Sequence, residues 1–121
     1  RTGLVQEVYY QGEPYRGRAT RVFGYLGRPA AGEGPFPAMV LVHGGGGKAF
    51  RDWAEHWARR GYVALAMDTA GCGPNGPLAD GGPDQSDTTK FRDFTDEDAR
   101  EMWTYHAVSA VIRGVSLLAA F

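Results

Sequence analysis

The stretch VLVHGGGGKAF, residues 40–50, sets four consecutive glycines between an apolar run and the start of a helical pattern. Bare backbone at such a junction serves two physical ends. Glycine reaches dihedrals that other residues avoid, and it lets a ligand approach backbone N–H groups with no side chain in the way. Immediately upstream, AMVLVH (38–43) is apolar without alternation, as expected of a strand buried on both faces of a parallel sheet. Downstream, over residues 49–60, Phe50, Trp53 and Trp57 recur at spacings of three and four, a helical stripe that puts both tryptophans in the core. Arg59 and Arg60 fall in its last turn and Gly61 ends it. YVALAMD (62–68) is a second buried strand, so residues 38–68 read as one β-α-β unit with a right-handed crossover.

Working outward, LVQEVYY (4–10) and ATRVFGYL (19–26) are rich in β-branched and aromatic residues, and Gly and Pro turn signals separate them. They read as an antiparallel pair. RPAAGEGPFP (28–37) is a surface loop. From Thr69 to Phe94 no helical or strand period survives among the many glycines and prolines; an excursion of that length is either functional or disordered. Thr95 with Asp98 resembles a capping box, and Asp96 and Glu97 suit a positive first turn. A helix is expected from there to about Ala119, with Trp103, Ala107, Ala110, Val111, Gly114 and Leu118 along one face. The class is α/β, in one domain without internal repeats.

Composition narrows the function. The 121 residues are 43% hydrophobic and 12% aromatic, enough for one packed core. With 13 basic and 14 acidic residues and a net charge of -1, neither a nucleic-acid footprint nor a polybasic membrane patch is expected. One cysteine, Cys72, excludes an internal disulfide and a multi-cysteine zinc site. No secretory h-region or membrane-spanning run is present in this sequence, and the compartment stays open. No metal or cofactor is called for.

Three mechanisms use glycines at a strand-to-helix turn. A P-loop needs a glycine where Val42 stands and a Ser or Thr where Ala49 stands, and is excluded. A Rossmann-like dinucleotide fingerprint fits Gly44, Gly46 and Ala49, with Asp68 where a ribose-binding acid would sit. An oxyanion hole instead aims backbone N–H groups at the charge developing on a carbonyl under attack, and His43 before the glycines favours it.

The segments PAMVLVHGGGGKAF, WARRGYVALAMDTAGCG and WTYHAVSAVIRGVSLL together resemble the first half of an α/β-hydrolase, of the acetyl xylan esterase and dienelactone-hydrolase-like serine esterase kind. The resemblance implies an α/β-hydrolase fold, N-terminal part: an antiparallel pair, a parallel β-α-β unit, and a helix leading to a strand that carries the nucleophile elbow. That elbow, G-x-S-x-G, occurs nowhere among the only serines, Ser86, Ser109 and Ser116. Residues 1–121 therefore read as the N-terminal half of a single hydrolase domain. The rest of that domain is needed for completeness, and the segment alone is expected to be inactive.

On this reading Gly45 and Gly46, and less so Gly44, supply oxyanion donors for a small-molecule or carbohydrate ester, while His43 and Asp68 brace the loop. The excursion walls the substrate, with Cys72 and Phe91 lining it in preference to Asp84 or Asp87. The strand AMVLVH is left with one unpaired apolar edge. A non-catalytic hydrolase-like interaction protein remains the other alternative.

Overall fold

In the computed structural model, which describes residues 4–121, the chain builds a mixed four-stranded sheet covered by a helix on each face. Strand β1 (Val5–Gln11) pairs antiparallel with β2 (Arg21–Gly27). β3 (Ala38–Val42) leads through α1 (Arg51–Ala58) to β4 (Val63–Met67), and these two strands are parallel. β2 also pairs antiparallel with β4, giving the order β1-β2-β4-β3.

Every residue of β4 is buried, as its unalternating apolar sequence requires. Its residues divide between two cores. Val63, Leu65 and Met67 pack with Leu26 and Leu118 beneath α3 (Trp103–Leu118), while Ala64 and Ala66 pack with Val5 and Ala54 beneath α1. The α1 layer is thin because its contacts are small: a side chain at Gly27 would lie 2.5 Å from the Ala54 carbonyl oxygen.

That close approach corrects the expected helix register. Ala54 and Ala58 face the sheet, Trp57 flanks them half-buried, and Trp53 stays 40% exposed rather than entering the core. β3 is also less buried than its sequence suggests. Among the described residues it pairs with β4 alone, so Ala38 and Val42 are exposed and Met39, Val40 and Leu41 half-buried.

The excursion has secondary structure of its own. It holds a two-stranded ribbon, β5 (Cys72–Gly73) with β6 (Gly76–Pro77), and a short helix α2 (Asp87–Lys90). Asp80 ties it to β2: its carboxylate takes Arg21 Nε at 2.6 Å and Nη2 at 3.2 Å, and its backbone oxygen accepts the Arg21 N–H.

The long helix begins later than Thr95. Asp98 Oδ1 accepts the Thr95 N–H at 2.6 Å, half of a capping box, yet only a 3-10 turn (Ala99–Glu101) follows. Met102 is extended, and α3 starts after it. The buried stripe of α3 is His106, Ala110, Gly114 and Leu118, with Trp103, Ala107 and Val111 half-buried beside it.

Candidate active site

The glycines lie at the carboxyl end of β3, the edge of a parallel pair at which ligands collect in open α/β sheets. They form a self-closed turn in which Gly47 N–H donates to Gly44 O at 3.0 Å and Gly46 takes the left-handed φ of +75° that glycine tolerates. The turn is separate from α1, whose N-cap is Phe50. A helix dipole acts only within its first turn, so the N–H directions here are set by the glycine turn itself. Gly44, Gly45 and Gly46 are all exposed. Among the described residues, the Gly44 and Gly45 N–H groups have no acceptor, and Gly46 N–H donates to Gln85 Oε1 at 3.2 Å.

His43 anchors this turn from below and is 6% exposed. Its Nε2 accepts the Thr69 N–H at 3.1 Å, which places the ring proton on Nδ1, and Nδ1 donates to Gly44 O at 2.7 Å. The ring thus ties the turn after β3 to the turn after β4. Asp68, 4% exposed, uses Oδ2 to accept the Ala70 N–H at 2.8 Å and the Cys72 N–H at 2.7 Å. Its Oδ1 lies 3.7 Å from His43 Nε2 and has no hydrogen-bond partner among the described residues. In the tautomer set by Thr69, that nitrogen carries no proton to donate to Oδ1. A sealed Asp68 is also unavailable to a ribose hydroxyl, which removes the acid that the dinucleotide alternative needs.

Trp103 adds a second clamp, its indole N–H donating to Thr69 O at 2.5 Å. An apolar cavity of about 180 Å³ opens beside Gly45, walled by Val42, Thr69, Trp103, Val108 and Val111. Neither Cys72 nor Phe91 lines it. Cys72 is half-buried under the Asp68 turn, where burial and then the Asp68 carboxylate push its thiol above the ordinary value, a poor setting for a thiolate nucleophile. Phe91 is 74% exposed with the Lys90 ammonium over its ring. Asp84 caps the turn before α2, and the Asp87 side chain lies outside the described residues.

A family model described as acetyl xylan esterase (AXE1) matches residues 3–114. The chain belongs to that family. The acetyl xylan esterase family is one of ester hydrolases of the α/β-hydrolase type. A crystal structure of a Klebsiella pneumoniae subsp. pneumoniae protein assigned as a dienelactone hydrolase is also similar, with a TM-score of 0.49 and 17% identity, covering 96% of this chain. This chain spans 44% of the length of that protein. No curated protein matches at a significant level.

Within this acetyl xylan esterase family member, three residues at the site carry no signal in sequence. Gln85 is a lone polar residue in an aperiodic stretch, Thr69 a single residue past a strand, and Trp103 reads as helix packing. Among the described residues no three His, Cys, Asp or Glu side chains gather as metal ligands, and no helix is long and apolar enough to cross a membrane.

Proposed function

We propose that this chain supplies the oxyanion-hole half of a carboxylic-ester hydrolase acting on a small or carbohydrate acetyl ester. The observation that carries the reading is the exposed glycine turn: free N–H donors at the carboxyl end of a parallel strand, beside an apolar cavity. When a nucleophile adds to an ester carbonyl, the oxygen gains negative charge. Donors already fixed by His43 and the Gly44–Gly47 hydrogen bond stabilise that charge without reorganising.

The nucleophile is assigned outside these residues. Ser86 Oγ bonds the hydroxyls of Thr88 and Thr89, Ser109 bonds Glu13 and Arg113, and Ser116 is exposed on α3; none sits in a strand-to-helix turn. The open edge of β3, whose Val42 shares a cavity with the exposed Val108 of α3, is where a nucleophile-bearing strand fits this reading.

Gly45→Val tests it. Gly45 lies outside the left-handed region, and a Cβ there meets only the tip of the Gln85 side chain at 3.3 Å, so the variant is expected to fold. In the protein that joins this chain to its nucleophile, turnover of p-nitrophenyl acetate should fall about a hundredfold or more, with an unchanged melting temperature. Unchanged turnover would remove the oxyanion assignment and favour a non-catalytic hydrolase-like protein.

A further inference from the structure

We propose that Gln85 gates the glycine turn, its carboxamide oxygen holding the acceptor place on Gly46 N–H that a substrate carbonyl oxygen takes over. This rests on the oxyanion reading of that turn and names a residue that sets how readily substrate reaches it.

The contact is specific in its chemistry. An N–H must meet an acceptor, so the Gln85 carboxamide presents Oε1, and it does so at 3.2 Å. The same oxygen lies 3.3 Å from where a Gly45 Cβ would stand, so the carboxamide also crowds the neighbouring residue of the turn. A carboxamide oxygen resembles an ester carbonyl in being an uncharged sp² acceptor, so the two compete for one site.

Gln85 is delivered there by a built mount. Asp84 Oδ1 accepts the Ser86 N–H at 3.0 Å, and Thr89 Oγ1 donates to Asp84 O at 2.7 Å. Ser86 O accepts N–H groups from Thr89 and Lys90 as α2 begins. The excursion's root is pinned in turn by Leu78 N–H on Gly71 O and by the Arg21–Asp80 ion pair. With the backbone on both sides of Gln85 closed on itself, only the glutamine side chain need move to vacate Gly46.

A bracing role for Gln85 would require the glycine turn to depend on it. The turn has its own closures, Gly47 N–H to Gly44 O and His43 Nδ1–H to Gly44 O, and Gln85 contributes to neither. One neutral hydrogen bond is also cheap to break, which suits an occupant that must leave at each turnover.

The test uses Gln85→Ala and Gln85→Asn in the protein that joins this chain to its nucleophile. Asn is one methylene shorter and keeps the amide while losing the reach. Both variants should raise kcat/KM for p-nitrophenyl acetate about fivefold, the equilibrium worth of one net hydrogen bond, mainly through a lower KM. Both should also speed hydrogen exchange at the Gly46 amide. A kcat/KM equal to or below that of the parent in both variants overturns the gate, as does unaltered Gly46 exchange. Loss of the underlying reading is separately visible: Gly45→Val would then leave turnover intact, while exchange at Gly46 still reports whether Gln85 covers that donor.

Discussion

Two turns leave the same edge of the sheet, one after β3 and one after β4, and they treat their backbone donors in opposite ways. After β4, Asp68 consumes the N–H groups of Ala70 and Cys72, His43 takes that of Thr69, and Trp103 occupies the Thr69 carbonyl. After β3, the glycines leave two N–H groups without acceptors among the described residues and lend a third to a side chain that can swing away. Position at the carboxyl edge therefore does not by itself make a binding site. A turn offers donors to a ligand only where the sequence withholds its own acceptors, and four glycines do that while Asp68 does the reverse.

The most forceful way to break this contrast is to strip the β4 turn of its acceptor. Asp68→Ala should leave two donors beneath the excursion unpartnered and cost about 2–3 kcal/mol of stability, read as a lower urea midpoint. Asp68→Asn should cost about 1 kcal/mol, because one side-chain oxygen can still accept both N–H groups. Equal losses in the two variants would mean that the charge of Asp68, rather than its acceptor geometry, holds the turn.

A milder intervention removes the clamp on the other side of Thr69. Trp103→Phe keeps most of the half-buried aromatic surface and deletes the indole N–H that meets Thr69 O. The expected loss is about 1 kcal/mol in the urea midpoint, with the cavity beside Gly45 slightly enlarged. No loss at all would mean that water replaces the indole and that the β4 turn is less closed than its hydrogen bonds imply.

What could be read from sequence follows the same division. The antiparallel pair, the parallel unit and the class of the fold were legible because apolar runs and turn residues act locally: VALAM has nowhere to be but inside a sheet. Helix register and helix start were not. Small residues at Gly27, Ala64 and Ala66 draw α1 close and turn Trp53 outward, and the Thr95–Asp98 bond is satisfied within one turn without committing the chain to an α-helix. The glycines advertised a place where side chains are excluded. Gln85 could not be found that way, because its partner is a backbone N–H 39 positions away and no spacing encodes that meeting.

The smallest expected effect tests how tightly the excursion seals the β4 turn. His106 lies on α3 beneath that excursion, near Gly82, with Tyr15 packed edge-on at 5.2 Å and Tyr105 at 5.9 Å between centroids. Its Nε2–H donates to Arg100 O at 2.7 Å, so protonation would add the second proton at Nδ1, on the Gly82 side. Burial pushes His106 below the ordinary histidine value of 6.5, outweighing the upward pull of the Arg100 carbonyl, Glu101 and Glu13. Between the lowered folded value and 6.5 the unfolded chain binds more protons than the folded one. The contribution of His106 is therefore fully present above pH 6.5 and is lost as pH falls through the folded value. The fall due to Glu13, whose carboxyl Arg113 holds below its usual 4.5, comes below pH 4.5, outside the range measured. Melting temperatures of the parent and of His106→Gln, taken from about pH 7.5 to 5.5, should converge as the solution is acidified. A difference that stays constant across that window would mean the excursion opens readily enough for His106 to titrate as it does in the unfolded chain, and the β4 turn would then be no more closed than its glycine neighbour.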